Sequence, residues 1–194
     1  MRADARRNRE RLLAAAEEVF AELGTEASTE EVARRAGVGI GTVFRHFPTK
    51  EQLLEAVLVA RVAELADRAE QLTAAADPGR AFFALLDAVV AQARSRQTLS
   101  EALAAAGVDA TAAAAPAKAR LRAAAEQLLR AAQQAGAVRP DVGGDELMAL
   151  MVGIARTAEQ TAHDPELQAR VSRLLVDGLH PAQRGSGSAP ASPR

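Results

Sequence analysis

Apolar positions recur every three or four residues along most of this chain, and glycine, proline or a capping pair stands wherever the pattern changes phase. Leu12, Ala16, Val19, Phe20 and Leu23 share one face of a first helix read over residues 6–23, which Gly24 ends. Ser28, followed three residues on by Glu31, is a capping box that opens a short helix with Val32, Ala33 and Ala36 on its inner face. Gly37 stands where a left-handed residue must close it. A second short segment, 40–47, turns Val43 and Phe47 inward, as Val38 does just before it, and leaves Gly41, Thr42, Arg45 and His46 outside. Pro48 stops that segment, and Thr49 with Gln52 makes a second capping box. The helix launched there is read over 50–75, with Leu53, Leu54, Val57, Leu58 and Leu65 inward. At ~1.5 Å per residue it is about 38 Å long, a candidate lever between two units.

Asp77-Pro78 is a cap followed by proline at the first helical position, so a fifth helix is predicted over 78–95, with Phe82, Phe83, Leu86, Val89 and Val90 on its apolar face. A short helix over 99–106 ends at Gly107, residues 108–115 read as an alanine-rich connection, and another helix runs over 116–135. Pro140 and Gly143-Gly144 force a turn before the last two helices, 145–162 and 165–179. The first of these is apolar around more than one face, which demands a second covering layer. Its own domain could supply that layer, or a second copy could, with two helices from each chain in a four-helix interface. Residues 181–194, rich in Pro, Gly, Ser and Ala, are expected to form a disordered tail.

The predicted fold class is therefore all-α, with about nine helices. A three-helix helix-turn-helix unit is read over residues 1–50 and a second helical unit, a candidate for dimerisation, over 51–180. Composition agrees: 48% of residues are hydrophobic but only 3% aromatic, so the interior is built from Ala, Leu and Val rather than from strand formers. Without cysteine there is no disulfide framework and no thiolate metal site or nucleophile. No apolar run approaches the ~20 residues that a membrane span needs. The N-terminus lacks the apolar stretch of a signal peptide, and a cytoplasmic protein is expected.

A net charge of −1 argues against a protein coated for non-specific nucleic-acid binding. The local asymmetry is more useful. Residues 1–11 carry Arg2, Arg6, Arg7, Arg9 and Arg11 against Asp4 and Glu10. The plain reading is a frayed, solvated terminus. Beside a helix-turn-helix, Arg6 and Arg7 become candidates for phosphate or minor-groove contact.

The helix pair over 29–47, with its polar and partly cationic second helix, has the shape that enters a major groove. Arg45 is the candidate base reader, because its fork matches guanine O6 and N7 and is worth ~1–3 kcal/mol of discrimination. Phosphate contact alone is the plainer alternative. The run Ala33-x-x-Ala36-Gly37-Val38-x-x-Gly41-Thr42-Val43-Phe44-x-His46-Phe47-x-x-Lys50-Glu51-x-Leu53-Leu54 resembles the signature of the tetracycline-repressor-type (TetR) family of transcriptional regulators. Two positions depart from it: Phe44 stands where the family usually has tyrosine, and Gly39 replaces a common serine.

The resemblance implies that Thr29, Phe44, His46 and Lys50 position the DNA backbone, with Gly41 and Thr42 on the same face. It also implies a homodimer, joined through the last two helices, on double-stranded DNA carrying a palindromic operator. An unknown small-molecule effector would bind in the second half of the chain and release the DNA. Candidate polar residues for that pocket are Gln97, Glu101, Arg120, Gln127, Arg156, Thr157 and Gln160, with Phe82, Phe83, Leu86, Met148 and Met151 as walls. Each taken alone suits a solvated face or plain core better than a pocket.

No cofactor or metal is expected, since His46, His163 and His180 are far apart and form no HExxH pattern. Gly37-x-Gly39-x-Gly41 lacks the preceding strand of a phosphate loop, and no GxSxG elbow occurs. A helical enzyme is thereby set aside. The remaining alternative is a helix-turn-helix regulator without a small-molecule ligand, constitutive or controlled by a protein.

Overall fold

The computed structural model describes residues 2–181, apart from the side chains of residues 2–6 and 94–97. Those residues form eight helices: α1 (Arg2–Leu23), α2 (Thr29–Ala36), α3 (Ile40–His46), α4 (Lys50–Leu72), α5 (Pro78–Ala105), α6 (Thr111–Gln134), α7 (Gly144–Gln160) and α8 (Pro165–Asp177). The all-α class is as the sequence predicts. Three boundaries differ, each for a local reason. The basic stretch ahead of the first helix is itself helical, since α1 starts at Arg2. The helices read at 78–95 and 99–106 are one continuous α5, because polar residues 94–98 interrupt the apolar pattern but contain neither glycine nor proline. α6 starts before Pro116 and carries it inside, where the flanking alanines sustain the helix past the missing N–H. The tail expected over 181–194 lies outside the described residues beyond Pro181.

Two apolar clusters hold these helices. The N-terminal one joins Leu12, Ala16, Val19 and Phe20 of α1, Val32 and Ala36 of α2, and Val43 of α3 to Leu53, Leu54, Val57 and Leu58 of α4. Leu99 and Leu103 of α5 and Ala110 also enter it. The second cluster is built from Leu65 and Ala69 of α4, Phe82, Leu85, Leu86 and Val89 of α5, Leu121 to Ala132 of α6, and Leu147, Met151 and Ile154 of α7. α4 serves both, its first half in one cluster and its second half in the other. With 23 residues it is about 35 Å long, and it packs chiefly on α6 and α5.

Ion pairs fasten α4 at its middle and near its C-terminal end. Arg61 pairs with Glu17 of α1, both largely shielded. Further along, Arg120 of α6 donates to Glu70 at 2.9 and 2.7 Å and to Asp67 at 2.5 Å. Burial, with Glu17 nearby, pushes the Glu64 carboxyl above its usual range.

Candidate nucleic-acid interface and effector pocket

The helix-turn-helix is built by its caps. The Ser28 hydroxyl accepts the Glu31 N–H at 3.2 Å and opens α2. The expected reciprocal bond is diverted, because Arg34 engages the Glu31 carboxylate, at 2.9 Å through Nε, and holds it below its usual range. Gly37 closes α2 with φ +67°. There Gly37 N–H donates to Arg34 O and Val38 N–H to Ala33 O, the double bond pattern of a Schellman cap. Arg11 of α1 donates to Ala36 O at 2.9 Å, placing a cation at the C-terminal end of α2. Arg35 ties α2 to α1 through Glu22 at 2.8 Å and depresses that carboxyl.

α3 presents two faces. Val43 is fully buried and Phe47 is 3% exposed, so both anchor it inward. The Arg9 guanidinium lies over the Phe47 ring at 5.3 Å, so one arginine of the basic stretch is spent on packing, as Arg11 is on capping. The outward face carries Gly41, Thr42, Phe44, Arg45 and His46. A side chain added at Gly41 would meet open space, so nothing in the fold covers that position. Phe44 keeps 46% of its surface exposed, unusual for a ring that could have packed inward.

Arg45 is exposed and folds back along its own helix, donating to Gly41 O at 3.1 Å and to the Thr42 hydroxyl at 3.3 Å. Thr29 begins α2 and Lys50 begins α4, each half-buried. At the start of α4 the Thr49 hydroxyl accepts the Gln52 N–H at 3.2 Å. The Glu51 carboxyl is held low first by its own backbone N–H and then by the Thr49 hydroxyl. One free N–H of that helix end is therefore already engaged by a carboxylate. Arg7 is exposed on α1, and the Arg6 side chain lies outside the described residues.

The pocket candidates scatter. A cavity of ≈ 330 Å³ lies between α4, α5, α6 and α7, and Met148, Met151 and Arg156 line it. Val62, Leu65, Lys118 and Leu121 line it too, and sequence periodicity offered no sign of their convergence. A shallower, more open depression collects Glu101, Arg156 and Gln160. Phe82 and Leu86 are instead core residues, 0% and 1% exposed. Phe83 is half-buried against the His180 ring at 4.8 Å, and Arg120 is committed to its α4 carboxylates. Gln127 is exposed on α6, Thr157 donates to Gly153 O at 2.9 Å, and the Gln97 side chain lies outside the described residues.

Residues 12–57 match the profile of bacterial regulatory proteins of the tetR family, and residues 77–181 match the C-terminal domain of SbtR-like transcriptional regulators. The latter match alone spans more than half of the chain. The chain belongs to the TetR family of transcriptional regulators. A TetR transcription regulatory protein from Mycobacterium vanbaalenii is 42% identical, over 92% of this chain and 98% of that one, with a TM-score of 0.75. The TetR regulator SCO0520 from Streptomyces coelicolor is 35% identical, over 90% and 99%, with a TM-score of 0.72. Among curated relatives, the HTH-type regulator TtgW from Pseudomonas putida is 43% identical over 60 residues, which is 30% of this chain and 45% of that protein. The regulator SrpR from the same species is also 43% identical over 60 residues, 28% of its length. The chain thus covers less than half the length of these curated relatives. As a member of the TetR family it is a DNA-binding transcriptional regulator and not an enzyme. Among the described residues, no helix is long and apolar enough to cross a membrane.

Proposed function

We propose that this TetR-family protein is a cytoplasmic, homodimeric repressor that binds a palindromic operator and is released by a small-molecule effector. The observation that carries the reading is the outward face of α3, which is fastened from behind by Val43 and Phe47 and left uncovered in front. Residues 1–50 form the DNA-binding unit in this reading, and 51–180 the effector-binding and dimerisation domain. Arg45, released from its two weak exposed contacts, reads a base edge. Thr29, Gly41, Thr42, Phe44, His46 and Lys50 set the backbone register, and Arg6 and Arg7 reach neighbouring phosphates. Family membership supports dimerisation, and so does α8, an amphipathic helix with no buried residue in the single chain. The two-fold pair would place its α3 helices one DNA turn apart, ~34–36 Å. An effector that favours another spacing shifts the population away from DNA.

The experiment compares Arg45→Ala with Lys50→Ala on operator and random duplexes over a salt series. Arg45→Ala is expected to relax sequence preference by ~1–3 kcal/mol at one base position. Lys50→Ala is expected to weaken all duplexes alike and to reduce the salt slope by about one. Unchanged sequence preference after Arg45→Ala would remove it from base reading.

A further inference from the structure

The ≈ 330 Å³ cavity between α4, α5, α6 and α7 has a lining whose chemistry is one-sided. Eight of its twelve described lining residues are aliphatic or methionine, and among the described residues the lining holds no aromatic ring and no side-chain amide. That described lining offers no stacking surface for a flat ring and no amide fork for a sugar or a base. Its polar groups are the Ser100 hydroxyl, Lys118, Arg156 and Glu159. Glu159 has an engagement of its own. Among the described residues, neither Lys118 nor Arg156 has a carboxylate within the 4.0 Å of an ion pair. Asp109 is the acid whose charge couples to Lys118, and it already accepts the Thr111 N–H at 2.8 Å. Two cations beside an apolar chamber, without a neutralising partner, favour an anionic head on an apolar body. Met148 and Met151 are flexible and polarisable, suited to an unbranched body rather than a rigid one.

Position selects between the cations. Arg156 and Glu159 also line the open depression, so they stand at the end that adjoins it. Ser100 and Lys118 also line a second cavity of ≈ 230 Å³, which includes Leu58, Leu103 and Ala110 of the N-terminal cluster. They therefore stand, themselves exposed, at the end nearest the N-terminal cluster. Building on the effector reading above, we infer that the cavity takes a small amphipathic monocarboxylic acid. Its carboxylate is held by Lys118 and the Ser100 hydroxyl, and its apolar body lies against Leu121, Met148 and Met151. An occupant placed this way touches α4 at Val62 and Leu65, beside the Arg61 that grips Glu17 of α1. It thus acts on the helix shared by both clusters.

The test titrates the full chain with octanoate, 1-octanol and octylammonium by calorimetry, and repeats the series on Lys118→Gln, an exposed α6 position whose change leaves the core intact. Octanoate is expected to bind about tenfold or more tighter than octanol, with octylammonium weakest. Lys118→Gln is expected to bring octanoate down to the level of octanol while leaving octanol unchanged. Equal binding of acid and alcohol by the wild type would overturn the assignment, as would a preference that survives Lys118→Gln. Operator binding in the same samples separates the two claims. If a neutral or cationic compound releases DNA and octanoate does not compete with it, the acid class is wrong while the effector reading stands. If compounds of every class leave operator affinity unchanged, the effector reading itself fails.

Discussion

Leu174→Glu is expected to give a folded monomer whose operator affinity falls by about two to four orders of magnitude. Leu174 is 70% exposed in the single chain, so a charge there meets solvent and costs the isolated fold little. Across a two-fold interface the same patch meets its own copy, and the substitution sets a desolvated carboxylate from each chain into one apolar contact. The loss on DNA is large because each half-site binds modestly alone. The second half-site is captured at the effective concentration that the dimer imposes, worth ~10²–10⁴ in affinity. Light scattering reads the mass, circular dichroism the fold, and a mobility-shift titration the affinity. A variant that stays dimeric, or a monomer with full operator affinity, would refute dimerisation through α8.

Phe82→Ala is expected to cost about 3–5 kcal/mol, the range for emptying a buried phenylalanine site. The ring is fully buried, and Phe83 meets it edge-on at 5.3 Å and 77°. It belongs to the same buried cluster as Leu65 of α4, Leu128 of α6 and Leu147 of α7, so its loss opens a void in the core that joins four helices. Against a typical total of ~5–15 kcal/mol that is a large fraction of the stability. At ~2–4 °C per kcal/mol for a chain of this size, the melting temperature should drop by roughly 6–20 °C. Thermal denaturation checks this. A drop of only a degree or two would mean that the ring is not part of the core. Phe83→Ala should cost less, since that ring is half-buried and packs at 4.8 Å on His180 near the end of the described chain.

The contrast between the two phenylalanines shows what the sequence could carry. Residues 28–54 were legible cap by cap, the diverted Glu31 bond excepted, because each turn there is settled between neighbours. Ser28 takes the Glu31 N–H, Gly37 takes the left-handed turn, and Thr49 takes the Gln52 N–H. Helical period alone likewise placed Val43 and Phe47 inward. Long-range partners were not legible. Nothing in the spacing of Arg11 says that it caps α2, 25 residues away, or that Arg120 reaches Asp67 and Glu70 on α4. The effector pocket is that kind of feature throughout. Its lining comes from four helices, and an aromatic residue on an apolar face reads the same whether it fills a core or walls a cavity. Phe82 does the former, whereas Lys118, which reads as a solvated charge, stands at the cavity.

Selection of bound duplexes from a randomised library, with the mass of the bound complex measured on the winners, tests the central claim most directly. Two copies presenting α3 across a two-fold axis should enrich an inverted repeat whose half-site centres lie about one DNA turn apart, with an even number of chains on each duplex. Enrichment of a single unpaired half-site held by one chain, or no enrichment at low ionic strength, would contradict it.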